Sequence, residues 1–298
     1  MFVRQMHYLV ALAREKHFAR AAEACNVSQP TLSAGLRKLE EELGLPLVVR
    51  GHRFLGFTAE GERVLGWARQ IVADYDSLRQ EKADAVGRLS GTLRVGAIPS
   101  VTAAAPTLLA PFRPRHPGVK VQMFSLSSAQ IQRGLDELEL DAGITYLENE
   151  PLSRVRRLDL YAERYVYVTR ATEKIARRRS ISWAQAATEP LCLLTPDMQN
   201  RRIIDQVLAE LGLASQPEIE TNSFMGIWAF VRRGPWSSIV PSASFAGLGE
   251  GGGLVAVPLV EPEHVQPVGL VVSDRDPLSP VAAALLKLAR SGGIGKID

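Results

Sequence analysis

The chain has 298 residues, of which 46% are apolar and 22% charged, the composition of an ordinary globular protein of two or three modest domains. Its net charge of +3 excludes a uniformly basic nucleic-acid binder, so any basic surface must be local. Cys25 and Cys192 lie far apart in the sequence and exclude a disulfide framework. Because no apolar run reaches about twenty residues and no signal peptide is recognisable, we expect a cytoplasmic protein.

The N-terminal residues predict three short helices. Residues 3–15 place apolar side chains on one face, and residues 18–25 repeat apolar positions at helical spacing. Asn26-Val27-Ser28 interrupts this repeat, Ser28 is a favoured N-cap, and Pro30 suits the first turn of the helix that follows. The spacing predicts a helix-turn-helix at about 18–37, although the same plan also occurs as a plain helical hairpin with a solvated face.

The second helix of this pair carries hydrogen-bonding side chains at its start, the part that can enter a major groove. Gln29 suits adenine edges, and Pro30 and Thr31 suit the methyl group of thymine. Arg37 and Lys38 are expected to point toward the phosphate backbone. The candidate DNA-binding residues are Ser28, Gln29, Pro30, Thr31, Ser33, Arg37, Lys38, Arg50 and Arg53.

This stretch resembles the LysR-type transcriptional regulators, and a weaker resemblance continues along the rest of the chain. The resemblance implies DNA binding, dimerisation through a linker helix and an effector domain. Ala34 and Gly35 depart from the family pattern, where longer polar residues are usual, which predicts fewer DNA contacts from this helix. The matching residues are Phe18, Arg20-Ala21-Ala22, Val27-Ser28-Gln29-Pro30, Leu32-Ser33, Leu36, Leu39-Glu40, Leu43-Gly44, Leu47, Arg50 and Thr58-Ala59-Glu60-Gly61.

Two short apolar pieces around Gly51-His52 predict a two-stranded wing after the helix pair. Arg50 and Arg53 flank its tip, either as solvated side chains or, as we favour, as contacts to phosphate or the minor groove. Such contacts position the domain without reading the base sequence. The predicted winged helix-turn-helix domain covers residues 1–58.

Thr58 is a good N-cap for a long helix. Apolar positions step by four and three residues along it, which predicts a heptad seam that packs on a second copy of the helix or on the effector domain. The family resemblance implies the first alternative, so residues 59–91 are assigned as linker and dimerisation helix and hinge. The seam consists of Val64, Ala68, Ile71, Tyr75, Leu78, Lys82, Ala85 and Leu89.

Strands and helices alternate from residue 92 onward, which predicts an α/β effector domain at 92–298. Two of its strands are expected near 154–161 and 164–169. The resemblance implies two lobes with the fold of periplasmic solute-binding proteins: lobe one at 92–163 plus 267–298, and lobe two at 164–266. The predicted fold class is therefore α+β multidomain, with a winged helix-turn-helix, a long linker helix and a two-lobed α/β domain.

Small polar residues follow the predicted strands, at the ends where open α/β folds bind ligands. Hydroxyls and N–H groups at helix starts suit a small anion or a carboxylate, although each hydroxyl could simply cap its own helix. Phe224 could line the cleft or pack in the core. The candidate effector-binding residues are Ser100, Thr102, Ser127, Ser128, Thr145, Thr195, Asn222, Ser223 and Phe224.

Motifs for catalysis are absent from the sequence: the five histidines lack metal-ligand spacing, and no nucleophile elbow, zinc-protease or phosphate-loop motif occurs. We therefore expect no enzyme, catalytic residue, metal or cofactor. The expected partners are double-stranded promoter DNA, a small-molecule effector and the chain itself, as a dimer through residues 59–89 and a favoured tetramer; RNA polymerase is a further candidate. A solute carrier whose N-terminal domain makes only protein contacts is the competing interpretation, which steep salt dependence of DNA binding would exclude.

Overall fold

The computed structural model describes residues 3–49, 51, 53–84, 89–148, 152–246 and 252–291. The chain divides into two compact units, Met1–Ser90 and Gly91–Asp298. The described helices of the first unit are α1 (Val3–Glu15), α2 (Phe18–Ala24), α3 (Gln29–Leu43) and α4 (Ala59–Asp84).

The first unit has one apolar core to which all of these helices contribute. Leu9 and Leu12 of α1 and Leu32 and Leu39 of α3 are fully buried, because leucines spaced three and four apart share one helix face. Gly44 ends α3 in the left-handed conformation, at a φ of 67°. The predicted helix-turn-helix is therefore packed as a three-helix unit, with the polar face of α3 directed away from the core.

Gly35 on α3 faces the ring of Tyr8 on α1. A Cβ at this position would lie 2.7 Å from two carbons of that ring, closer than any side chain can approach. Tyr8 is itself buried, so the glycine lets two helices approach. The structure thus corrects the sequence interpretation, because Gly35 lies on the packed side of α3 and its missing side chain is not a missing DNA contact.

Helix α4 has 26 residues and spans about 39 Å. Val64, Ala68 and Ile71, the first positions of the predicted seam, pack into the core of the first unit, where α1 lies against α4. Two later seam positions, Tyr75 (42%) and Leu78 (68%), are exposed, as is Trp67 (73%) beside the seam. The seam is therefore partly used within the unit, while Ala85 and the side chain of Lys82 lie outside the described residues.

The second unit is built on a mixed sheet with helices packed against it. Within the described residues, its strands run in the order β2-β1-β3-β10-β4-β9-β5, β8 also pairs with β4, and β6 and β7 form a small separate sheet. The strands are β1 (Ser90–Ala97), β2 (Gly118–Ser125), β3 (Ala142–Tyr146), β4 (Val155–Arg170), β5 (Ile181–Ser182), β6 (Cys192–Leu194), β7 (Ile219–Thr221), β8 (Ser238–Pro241), β9 (Leu254–Val260) and β10 (Val265–Ser273). The helices are α5 (Ala105–Leu109), α6 (Phe112–Arg115), α7 (Ser128–Asp136), α8 (Trp183–Ala186), α9 (Gln199–Glu210), α10 (Phe224–Arg233), α11 (Ser242–Ala246) and α12 (Pro280–Arg290).

Strand β4 is continuous over 16 residues, where the sequence predicts two separate strands. Its first part, residues 155–164, pairs with β10 in lobe one, and its second part, 165–170, pairs with β8 and β9 in lobe two. Glu163 and Arg164 lie at the lobe boundary, and the strand continues through them without interruption. The predicted two-lobed α/β fold is confirmed, with β4 shared by both lobes. No helix in the described parts of the chain is long and apolar enough to cross a bilayer.

Candidate functional sites: the helix-turn-helix surface and the inter-lobe cavity

The start of α3 is held by its N-cap. The backbone N–H of Thr31 donates to Ser28 Oγ at 3.3 Å, and the two side-chain oxygens lie 2.8 Å apart within hydrogen-bond distance. Both hydroxyls are therefore oriented before any ligand arrives. Gln29 and Pro30 are exposed between them, which leaves their side chains available at the end of the helix that would enter a groove.

The polar face of α3 continues along the helix. Gln29, Ser33 and Arg37 are four residues apart and therefore share one face. Gln29 and Arg37 are exposed and Ser33 is half-buried, while Lys38 is exposed beside them. The structure brings these predicted residues together on one surface of the first unit.

The wing is shorter than the predicted two strands. Val48 and Phe57 form an isolated antiparallel bridge, and Phe54 packs edge-on against Phe57, with ring centroids 5.1 Å apart. Arg53 is exposed at the tip, whereas Arg50 lies outside the described residues. The described residues of the wing are thus held by two backbone hydrogen bonds, Val49 N–H to Gly56 O and Thr58 N–H to Leu47 O, both 3.0 Å, and by aromatic contacts.

Glu40 fixes the wing to α3, a role that sequence reasoning missed. Its Oε1 accepts hydrogen bonds from the backbone N–H groups of Leu47 (2.8 Å) and Val48 (3.2 Å). In the sequence it appears only as the first of three consecutive glutamates at the end of α3. The sequence does not show that this glutamate, unlike the next two, is half-buried, because that depends on where the chain turns back after α3.

The second unit contains a small cavity between the two lobes. Its volume is about 10 Å³, room for roughly one water-sized group, and because it is partly open a larger ligand can place one polar group in it. Three of the predicted effector-binding residues, Ser100, Ser127 and Ser128, line it. The full lining is Ile98, Pro99, Ser100, Ser127, Ser128, Tyr146, Leu194, Met198, Gln199 and Asn200.

The other hydroxyl-bearing candidates lie elsewhere. The Thr102 hydroxyl donates to the carbonyl of Ile98 at 3.5 Å, next to the cavity wall. Thr145 is fully buried within β3, and Thr195 is half-buried after β6; the Oγ1 atoms of both lack a hydrogen-bond partner among the described residues. None of these three belongs to the cavity lining described above.

The candidates at the start of α10 are also outside the lining. Asn222 is exposed, and Ser223 is the N-cap of α10 without a side-chain capping bond. Phe224 packs against Trp228, with ring centroids 6.2 Å apart, in the apolar core of lobe two. Packing therefore accounts for Phe224, which was the simpler of its two interpretations.

Two buried polar atoms at the cavity have no hydrogen-bond partner in the part of the chain that the structure describes. Gln199 Nε2 donates to the carbonyl of Glu148 at 3.2 Å, which fixes the amide and leaves its Oε1 unpaired. Burial raises the pKa of the Tyr146 phenol well above its usual value; the nearby Ser100 hydroxyl opposes that rise, yet its Oγ makes no well-aligned hydrogen bond. Because a buried polar atom without a partner is costly, these two atoms mark a place for a ligand or an ordered water.

A buried hydrogen-bond network lies directly behind the cavity wall. The Tyr146 hydroxyl donates to Glu163 Oε2 at 2.6 Å, and the Tyr161 hydroxyl donates to Oε1 at 3.1 Å. Asn200 Nδ2 donates to the hydroxyls of both Tyr146 and Tyr165 at 3.3 Å. Burial raises the pKa of Glu163 to about 7, although the two phenol hydrogen bonds oppose that rise.

Arg201 anchors the start of α9, which carries Gln199 and Asn200 into the cavity. Its guanidinium bonds to Asp205 at 2.8 Å, to Glu220 at 2.6 Å and to the carbonyl of Leu194 at 2.9 Å. Only 6% of this arginine is exposed, so removal of a partner would leave an uncompensated charge. Sequence reasoning missed this group because its partners come from three different elements.

Neither cysteine is placed for thiol chemistry. Cys192 is fully buried in β6, and burial raises the pKa of its thiol to about 11. Burial also raises the pKa of the Cys25 thiol, which is half-buried in the first unit. Since the thiolate is the reactive form, both side chains act as small core residues.

Two family models match the chain and together cover most of it. Residues 3–62 match the bacterial regulatory helix-turn-helix protein, lysR family, and residues 87–293 match the LysR substrate binding domain. The second match alone covers more than half of the chain.

Similar proteins of known role span the full length. The SDS degradation transcriptional activation protein of a Pseudomonas species is 35% identical over 295 residues, covering 95% of this chain and 94% of that protein. The hydrogen peroxide-inducible genes activator of Escherichia coli O6:H1 is 28% identical over 302 residues, covering 100% and 98%. Among solved structures, a cysteine-to-aspartate variant of full-length OxyR from Pseudomonas aeruginosa matches with a TM-score of 0.80 and 25% identity, covering 100% of this chain and 96% of that one.

Proposed function

The chain belongs to the LysR family of DNA-binding transcriptional regulators, and from that premise we propose that a small polar effector bound in the inter-lobe cavity controls its binding to promoter DNA. The unpaired Ser100 Oγ and Gln199 Oε1 carry this proposal, because both are buried polar atoms at the lining of one cavity. Ser127 and Ser128 contribute the start of α7 to the same cavity. A ligand there would touch both lobes and therefore favour one arrangement of them.

The relatives do not fix which effector binds. One is named for SDS degradation and another for induction by hydrogen peroxide, although both match nearly the whole chain. Peroxide oxidises thiolates, and this chain has a single, deeply buried cysteine in the second unit, with a pKa of about 11. We therefore propose reversible binding of a small molecule rather than a thiol-based switch.

The sequence suggests an anion or a carboxylate as the effector. Helix α9 begins at Gln199 without a side-chain cap, so its first N–H groups favour an acceptor. However, the cavity lining contains no lysine, arginine or histidine among its described residues to neutralise a charge. We therefore propose a small polar effector. Whether it is charged depends on the buried network around Glu163.

On the DNA side, we propose that Gln29, Pro30, Thr31 and Ser33 read bases while Arg37, Lys38 and Arg53 contact the backbone. Ser28 would act mainly as the cap that orients Thr31. Trp67, Tyr75 and Leu78 are proposed as the surface of α4 that meets a second copy of the chain. A dimer would present two α3 helices to two half-sites.

The proposal is tested by footprinting a bound promoter fragment with the full chain while a panel of small alcohols, amides and carboxylates is titrated. At least one compound should raise the melting temperature of the wild-type chain and alter its footprint. Ser100→Val should fold and bind DNA but lose both responses, because the added methyl fills the cavity. A compound that binds the wild-type cavity without changing the footprint would overturn effector control.

A further inference from the structure

The unpaired atoms at the cavity define what a ligand must offer. Gln199 Oε1 is fixed as an acceptor, because the amide nitrogen of the same side chain is already bonded to Glu148. A group bound against it must therefore carry a proton to donate. Ser100 Oγ can donate or accept, so a group that carries both a proton and a lone pair can satisfy both atoms. An ionised carboxylate group has lone pairs but no proton, and it leaves Gln199 Oε1 unsatisfied.

The side-chain donors of Tyr146 and Asn200, which both line the cavity, are already committed. The Tyr146 proton is given to Glu163, and both hydrogens of Asn200 Nδ2 are directed to the hydroxyls of Tyr146 and Tyr165. Neither side chain keeps an N–H or O–H for the cavity. The cavity therefore offers fewer hydrogen-bond donors than its serine, tyrosine, glutamine and asparagine side chains suggest.

Glu163 also places negative charge one hydrogen bond behind the wall. Its neighbours are Tyr146 from β3, Tyr161 and Tyr165 from its own strand, and Gln266, which pairs with it from β10. No lysine, arginine or histidine of the described chain is among the groups that shift its pKa, so its charge lacks a cationic counterpart there. An anion in the cavity would meet this carboxylate at short range in a poorly solvated site.

We infer that the cavity selects a neutral group that both donates and accepts hydrogen bonds, such as a hydroxyl or a primary amide, and that Glu163 excludes anions as a positioning residue acting through Tyr146. This inference rests on the proposed role of the cavity as the effector site. It replaces the anionic effector suggested by the helix starts. Protonation of Glu163 should relax the exclusion, so anion binding should strengthen as the pH falls.

The test compares two isosteric probes, carbon-13-labelled formamide and formate, on the full chain by NMR titration. Each is used up to about 0.1 M, because a ligand of three heavy atoms binds at best near millimolar. At about pH 8, the wild type should bind formamide roughly tenfold or more tightly than formate. At about pH 5.5, where formate is still ionised, formate should bind more tightly than at pH 8 while formamide is unchanged.

Glu163→Gln should bring formate close to formamide at both pH values, a gain of binding that loss of structure cannot produce. Glu263→Gln is the matched control, because Glu263 is exposed and its replacement removes one negative charge from the same unit without touching the cavity. Equal binding of both probes by the wild type at pH 8, or an unchanged ratio in Glu163→Gln, overturns the inference. If that variant does not fold, the wild-type pH series decides. If neither probe binds any variant, the cavity is not an effector site and the proposed function fails as well.

Discussion

The ring of Tyr8 occupies the space that a side chain on Gly35 would need, with two ring carbons 2.7 Å from an ideal Cβ. Gly35→Ala should therefore destabilise the chain, although alanine is favoured over glycine in a helix by up to about 1 kcal/mol. Overpacking costs about 1–3 kcal/mol, so we expect a net loss on the order of 1 kcal/mol in the free energy of unfolding.

Gly66→Ala is the matched control for that change, since it also replaces a helical glycine of the first unit. No described atom lies within 4 Å of its ideal Cβ. This variant should gain up to about 1 kcal/mol from helix propensity alone. Urea unfolding of both variants beside the wild type measures the difference, and a Gly35→Ala chain as stable as Gly66→Ala would show that Tyr8 moves aside freely.

Glu163 makes the stability of the second unit depend on pH. Its pKa is about 7 in the folded chain and about 4.5 when unfolded, so between these values the folded state holds a proton that the unfolded state releases. The associated stability is present below about pH 4.5 and is lost as the pH rises through 7. The upper bound from a shift of this size is on the order of 3 kcal/mol.

Glu163→Gln should therefore lose less stability than the wild type between about pH 5 and pH 8. Burial also raises the pKa of Asp141, so this residue makes stability fall with pH in the same way in both proteins. Its effect therefore cancels in the comparison. Thermal unfolding across this range measures the effect. Parallel curves for the two proteins would mean that folding does not raise the pKa of this carboxyl into the range measured.

Substitutions on α3 and in the wing should have different effects, because α3 is proposed to read bases and the wing to contact phosphate. Gln29→Ala should relax base preference at one or two operator positions, because the amide suits a single base edge. Arg53→Ala should weaken binding to all sequences alike and reduce the salt slope by roughly one counterion. Fluorescence anisotropy with operator and scrambled duplexes at several salt concentrations distinguishes the two. If Gln29→Ala lowers the affinity for every duplex equally, Gln29 does not read a base.

The exposed apolar side chains of α4 should be needed for self-association. Leu78→Glu places a charge where a leucine is 68% exposed, and we expect the sedimentation mass to fall toward that of the monomer. Met225→Glu is the control, because Met225 is 70% exposed on α10 in the second unit. If Leu78→Glu leaves the sedimentation mass unchanged, another surface mediates self-association.

The sequence identifies those features whose signals are local. The N-caps at Ser28 and Thr58, the apolar spacing of α3 and the strand–helix alternation each involve residues within a few positions of one another. Their physical causes, capping and amphipathic burial, act within one element. The helix-turn-helix and the α/β alternation are therefore predictable from local signals, whereas the two lobes follow from the family resemblance.

The remaining features depend on residues that only the fold brings together. Asn200 meets Tyr146 across 54 positions of sequence, and neither carries a local pattern that announces the contact. Hydroxyls at strand ends were a correct guide to Ser100, Ser127 and Ser128 lying together, but Gln199 had no such signal. Gly35 was misread for the same reason, because only the position of Tyr8 explains it.

Because the 16 residues of β4 belong to both lobes, one continuous strand joins the two lobes. The ladder with β10 on one part and the ladders with β8 and β9 on the other resist a sharp bend at the boundary. An effector of the kind proposed would therefore have to twist this strand in order to change the angle between the lobes. We expect such an effector to cause a small torsion of β4 rather than a hinge-like opening of the lobes.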